Sequence, residues 1–135
     1  MTIMFESLSK LHTICFPSKP WAATDFAELK KSGAEIIASD NAFIVYRIAA
    51  DECEIITIGV APNVRRTGTA TALLRIMESE LKKSDTKSVF LEVSDMNAPA
   101  IDLYLKLGYD MVGKRPGYYD GTDAIIMKKS LVISL

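Results

Sequence analysis

The spacing of apolar positions divides this chain into helical and extended stretches. Leu8, Leu11, Ile14 and Cys15 recur at helical spacing, which predicts a first helix over about 6–16. Pro17-Ser18-Lys19-Pro20 breaks it. Thr24 or Ala22 opens a second helix whose apolar side is Phe26, Ala27 and Leu29 and which ends near Gly33. The pattern then turns to β-branched and aromatic runs over 35–38, 42–48 and 53–60, separated by Ser39-Asp40-Asn41 and Ala49-Ala50-Asp51-Glu52. These predict three antiparallel strands joined by short turns.

Helical spacing returns with Ala70, Leu73, Leu74, Met77 and Leu81, one apolar stripe from about 68 to 84. Val89-Phe90-Leu91-Glu92-Val93 is nearly continuous in apolar character and suits the centre of a sheet. Asn97 caps a short helix running to Leu107, with Gly108 where a left-handed residue is wanted. Residues 109–112 and 123–127 read as final strands, with the turn-rich stretch 113–122 between them. The order predicts an α+β or mixed α/β sheet with helices packed on it.

At 135 residues the chain is expected to form a single domain, 1–135, able to bury a core without disulfides or metals. A formal net charge of -1 gives no electrostatic reason to bind nucleic acid or an anionic membrane surface. No apolar run approaches the roughly 20 residues that cross a bilayer, and the first residues do not read as a signal peptide. A cytoplasmic setting is expected, with no disulfide indicated between Cys15 and Cys53. One histidine and two cysteines argue against a His/Cys metal cluster, so no metal is expected. His12 lies in a helical pattern without a nucleophile signature, and reads as a partly exposed helix residue.

Four features could carry chemistry. First, the strand through Ile58, Gly59 and Val60 leads to Arg65-Arg66-Thr67-Gly68-Thr69-Ala70 at a helix start. The first turn of a helix offers unpaired N–H groups and a positive dipole end, a natural seat for phosphate. Small residues let a ligand approach the backbone, and the arginines add charge. An ordinary capped helix after a loop is the alternative. There is neither a P-loop nor a dinucleotide glycine pattern. Second, Gly59 inside an apolar strand marks a bulge or a packing constraint. Third, Val89, Leu91 and Val93 share one strand face while Phe90 and Glu92 share the other. A carboxylate in such a strand needs a reason, because unpaired burial is costly. Glu92 is a candidate general base, unless this strand end faces solvent. Fourth, Asn97 and Tyr104 lie two turns apart on nearly one helix face. Asn97 reads first as an N-cap and Tyr104 first as core, although a tyrosine hydroxyl there could donate a proton.

Together these segments resemble the GCN5-related N-acetyltransferase superfamily. Arg65 to Ala70 fits its Arg/Gln-x-x-Gly-x-Gly/Ala acetyl-CoA motif, and the stretch from Leu91 to Tyr109 fits its second signature. Tyr118-Tyr119 followed by Asp120-Gly121-Thr122-Asp123-Ala124-Ile125-Ile126-Met127, and the Pro17 to Trp21 region, lean toward the N-terminal protein acetyltransferases, the bacterial ribosomal-protein-alanine branch above all. The resemblance implies a mostly antiparallel, twisted sheet splayed in the middle, with helices on both faces. The first strand, available only within residues 1–5, would be short or missing.

It implies acetyl-CoA as cosubstrate and a protein or peptide N-terminus, such as that of a ribosomal protein, as acceptor. The reaction would be direct transfer in a ternary complex. By the same resemblance the pyrophosphate would rest on amides from Arg66 to Thr71. The pantetheine arm would pair with Ile58 to Val60, the Val60 amide would polarise the thioester carbonyl, and Asn97 would contact the CoA arm. Glu92 would be the base and Tyr104 the acid, and Tyr118 and Tyr119 would line the peptide entry, unless they are plain hairpin aromatics. A lysine or small-amine acetyltransferase of the same fold, or an acetyl-CoA-binding module without turnover, are the competing readings.

Overall fold

A computed structural model describes residues 5–119 and 121–132; the side chains of 118 and 119 lie outside it. The elements in chain order are α1 (Phe5–Cys15), α2 (Ala23–Lys31), β1 (Glu35–Ala38), β2 (Ala42–Ala49), β3 (Glu52–Val60), a 3-10 turn (Pro62–Val64), α3 (Thr69–Lys83), β4 (Ser88–Ser94), α4 (Ala98–Lys106), β5 (Asp110–Tyr119) and β6 (Thr122–Ser130). Six strands form one sheet in the order β1-β2-β3-β4-β6-β5. The chain divides into two compact units, Met1–Arg47 with Ile56–Met77, and Ile48–Ile55 with Glu78–Leu135.

In the first unit, α1 buries Leu8, Leu11 and His12, an i, i+3, i+4 stripe. α2 starts where the Asp25 carboxylate accepts the Ala22 N–H at 2.8 Å. It ends at Gly33, whose φ of +102° only glycine adopts without strain. β1 and β2 pair antiparallel, Ile36 opposite Val45 and Ile37 opposite Ile44. The core gathers Leu8, Leu11, Phe26, Ala34, Phe43, Val45 and Ala61.

His12 departs from its sequence reading. It is buried rather than partly exposed. Its ring stacks on Trp21 at 4.7 Å between centroids and lies 5.6 Å from Phe43, and Nδ1 accepts the Trp21 N–H at 3.2 Å. The Pro17–Pro20 turn brings Trp21 back onto α1, a tertiary contact that helical spacing alone does not reveal.

In the second unit, β4 pairs parallel with β3 over Glu52↔Ser88, Cys53↔Val89 and Glu54↔Phe90. It pairs antiparallel with β6 along its whole length, from Ser88↔Ser130 to Ser94↔Ala124. The expected alternation holds: Val89, Leu91 and Val93 are buried, while Phe90 and Glu92 are half-buried. The Asn97 side chain accepts the Ala100 N–H at the start of α4, and Gly108 after it has φ +96°.

The last hairpin corrects the expectation of two short strands around a long turn. β5 runs on through Gly113, Pro116 and Gly117 to Tyr119, and β6 begins at Thr122. Register shifts between Met111 and Gly113 and between Arg115 and Tyr119 absorb the turn-type residues within the strand. Pro116 is tolerated because β5 is the last strand of the sheet, where an N–H need not be donated. Among residues 1–5, Phe5 opens α1, and the expected short first strand otherwise lies outside the described residues.

Candidate active site

The phosphate-seat segment lies in the first unit. β3 ends at Val60, the 3-10 turn follows, and α3 begins at Thr69 with Ala72 N–H bonded to Gly68 O at 3.0 Å. The N–H groups of the first turn therefore belong to Thr69, Ala70 and Thr71, and no acidic residue lies there. Gly68 has φ +85° and open space where a Cβ would stand, so a ligand can approach the backbone closely. Arg66 is exposed and also adopts positive φ, +64°. Thr67 Oγ1 bonds the Val64 carbonyl and lies 2.8 Å from Thr69 Oγ1, which shapes the loop. Arg65 has a structural task as well: its Nε donates to the Val60 carbonyl at 2.9 Å, tying the loop to the strand end. This cradle of first-turn amides, an open glycine and exposed guanidinium groups fits a pyrophosphate.

Gly59 resolves toward packing. A Cβ there would stand 2.6 Å from Phe43 Cζ and 3.1 Å from Cys15 Sγ. The glycine leaves the space that the buried Phe43 ring needs against β3, the strand that also carries the candidate residues Ile58 and Val60. This unit also holds a wide, open cavity of about 520 Å³ lined by Trp21, Asp25, Glu28, Leu29, Ser32 and Ile56. Trp21, from the Pro17 to Trp21 region that carries the resemblance, lines it, whereas none of the candidate catalytic or cofactor-binding residues does.

The second unit holds the proton-moving candidates. Glu92 lies on the half-buried face of β4, its side chain 26% exposed. It is not solitary: Oε1 lies 2.7 Å from Arg115 Nη2 on β5, a partner the sequence reading missed. Nothing in residue spacing links 92 to 115, because the contact crosses β6. Tyr104 is buried on α4, its ring 5.7 Å from that of Tyr109 in an edge-on arrangement. Asn97 is exposed, with Oδ1 used as the helix cap, so its amide nitrogen is the group left for a ligand. Tyr118 and Tyr119 lie in β5, with Tyr119 opposite Thr122, and their side chains fall outside the described residues. The hairpin bearing them is held by Asp123, which accepts the Gly117 N–H at 2.9 Å and pairs with Lys114 at 3.4 Å. That N–H, more than the lysine, holds the Asp123 carboxyl below its ordinary range.

Among the described residues no group of three or more His, Cys, Asp or Glu is placed to hold a metal ion, and no helix is long and apolar enough to cross a membrane. Cys15 and Cys53 are free thiols, and burial pushes Cys53 up to about 12.

Residues 3–109 match the Acetyltransferase (GNAT) family. The chain belongs to that family. It is 39% identical over 90 residues to the [Ribosomal protein bS18]-alanine N-acetyltransferase of Escherichia coli K12, covering 64% of this chain and 61% of that protein. It is 40% identical over 79 residues to an N-alpha-acetyltransferase of Sulfurisphaera tokodaii, covering 57% and 47%. The chain thus spans about three fifths of the first relative's length and half of the second's. The crystal structure of the Escherichia coli ribosomal-protein-S18-alanine N-acetyltransferase superposes with a TM-score of 0.86 at 28% identity, over 97% of this chain and 90% of that one. The expected fold, a mixed α/β sheet with helices, is therefore the GNAT fold.

Proposed function

We propose that this protein is an enzyme that transfers the acetyl group of acetyl-CoA to the N-terminal α-amine of a protein, with a ribosomal protein as the favoured acceptor and the cytoplasm as its setting. The observation that carries this reading is the 39% identity to a ribosomal-protein-alanine N-acetyltransferase over 90 residues. The match to an N-alpha-acetyltransferase supports α-amine rather than side-chain specificity.

Each part of the chain has a role in this reading. The first-turn amides from Arg66 to Thr71, with Arg65 and Arg66, hold the pyrophosphate of acetyl-CoA. Ile58 to Val60 pair with the pantetheine arm as an added strand would, and the Val60 N–H polarises the thioester carbonyl. The Asn97 amide contacts the CoA arm. An α-amine has a pKa of about 8, so at neutral pH it must lose a proton before it attacks. Glu92 takes that proton, directly or through water. The amine nitrogen bonds to the acetyl carbon, the carbon–sulfur bond breaks, and Tyr104 protonates the departing thiolate. Tyr118 and Tyr119 line the acceptor's entry. Glu92→Gln is expected to lower kcat by about 10²-fold or more with acetyl-CoA affinity unchanged; unchanged turnover in a steady-state assay removes Glu92 from this role.

The deciding experiment is mass spectrometry of a peptide panel incubated with the protein and acetyl-CoA. The panel contains free N-termini beginning with Ala, Ser, Thr or Met, and blocked peptides with an internal Lys. Acetylation confined to free N-termini supports the reading, and the preferred first residue narrows the acceptor. Acetylation of the internal Lys alone moves the protein to lysine acetylation. Absence of any product favours a small-molecule acceptor or a binding module.

A further inference from the structure

We propose that Arg115 is a positioning residue for the Glu92 carboxylate, and that a one-residue bulge at Val112 is the device that turns it there. The proposal rests on the reading of Glu92 as the base.

The register of the last three strands carries the argument. Glu92 on β4 is opposite Ile126 on β6, and Ile126 is opposite Gly113 on β5. Cross-strand partners share a face, so these three positions form one row on one side of the sheet. Two residues further along β5, Arg115 is opposite Ala124 and lies on that same side. It reaches Glu92 Oε1 at 2.7 Å by crossing β6. The β6 residue opposite Arg115, Ala124, has one of the smallest side chains available, which leaves room for a long one to cross the strand.

This placement depends on one extra residue. Met111 is opposite Met127, yet Gly113 is opposite Ile126, so β5 advances two residues while β6 advances one. Val112 is the residue left over. A bulge of this kind reverses the side-chain alternation after it and re-aims the side chains beyond it. With a regular register, Lys114 would face Ala124 and Arg115 would project from the opposite side. With the bulge, the two cations are sorted. Lys114 is opposite Ile125 and pairs with Asp123 at 3.4 Å on one side. Arg115 pairs with Glu92 on the other.

The chemistry suits a base that must be held without being neutralised by proton transfer. A guanidinium stays protonated at any working pH, so it cannot deliver its proton to Glu92. It fixes one carboxylate oxygen by a charge-assisted contact, and the second oxygen remains to take the amine proton. A catalytic group held in one geometry keeps a larger share of productive encounters. Arg115 touches neither substrate nor cosubstrate in this scheme and acts through Glu92.

The test is steady-state kinetics of the full chain with acetyl-CoA and an Ala-initiated peptide. The variants are Arg115→Met, Arg115→Lys and Glu92→Gln, and the double variant of Arg115→Met with Glu92→Gln. Arg115→Met is expected to lower kcat about tenfold with the KM for acetyl-CoA unchanged, and Arg115→Lys to restore most of it. In the Glu92→Gln background, Arg115→Met should cause no further loss of turnover, because a positioning residue acts on the reaction through the carboxylate it holds. An impaired Glu92→Gln beside a fully active Arg115→Met overturns the positioning role alone. An equal loss from Arg115→Met in both backgrounds also overturns it, since the arginine then acts independently of Glu92. A fully active Glu92→Gln removes the base assignment and this proposal with it. Arg115 is exposed, so folding should survive; if the methionine variant melts early, Arg115→Gln in the same two backgrounds decides by the same criteria.

Discussion

Phe43 and Gly59 show how much one missing methyl group can hold. Phe43 is fully buried, and a Cβ on Gly59 would stand inside its ring's contact distance, 2.6 Å from Cζ. The ring is fully buried and has His12 and Phe26 beside it, which restricts its movement away from β3. Gly59→Ala is therefore expected to destabilise the protein by about 1–3 kcal/mol through overpacking, read as a lower denaturant midpoint with an unchanged m-value. The alternation along β4 was legible at this scale, since Glu92 stands on the face opposite Val89, Leu91 and Val93 as the pattern required. Its partner Arg115 was not, because a contact that crosses an intervening strand leaves no mark in local spacing.

At the scale of elements, the loop before α3 combines two conformations that favour glycine. Gly68 meets the need naturally, with φ +85°, whereas Arg66 adopts +64° with a long side chain. A non-glycine residue in that region is strained by about 1 kcal/mol. Strain retained beside a phosphate seat is understandable if the guanidinium binds there. Arg66→Gly should consequently separate two effects. The melting temperature should hold or rise, and the KM for acetyl-CoA should increase about three- to tenfold, roughly the contribution of one exposed charge–phosphate contact. Thermal melts and initial rates on the same preparation check both. A fall in stability with unaltered KM would mean that Arg66 serves the loop rather than the ligand. The hairpin of β5 and β6 teaches a complementary lesson. Gly113, Pro116 and Gly117 read locally as a turn, yet pairing with β6 holds them extended and converts the excess residues into register shifts.

For the whole molecule, the buried histidine supplies a handle on stability. Burial in the aromatic nest lowers the pKa of His12 from 6.5, with the Asp25 carboxylate opposing the shift. Protonation would also remove the lone pair that accepts the Trp21 N–H. The unfolded chain therefore binds this proton at a higher pH than the folded protein does. The contribution is fully present above about 6.5 and is lost progressively as pH falls below that value toward the lowered one. The unfolding free energy from urea titrations should decline over that window by at most one proton's worth, about 1.4 kcal/mol per pH unit. His12→Asn, which retains an acceptor but does not titrate, should flatten the decline, and an unaltered slope would assign it to other groups.

The order and kind of nearly every element, the cap at Asn97, the left-handed Gly108 and the segments that mark the acetyltransferase family are all readable along the chain. These follow from short-range chemistry: side-chain period, capping and backbone freedom act within a few residues and can be read along the chain. Tertiary structure decided why Gly59 is a glycine, that His12 is buried, how far the last hairpin extends and which cation meets Glu92. Each of these depends on groups far apart in sequence but adjacent in space. The sharpest instance is Val112, where one extra residue in the pairing of β5 with β6 settles that Arg115, rather than Lys114, shares a face with Glu92.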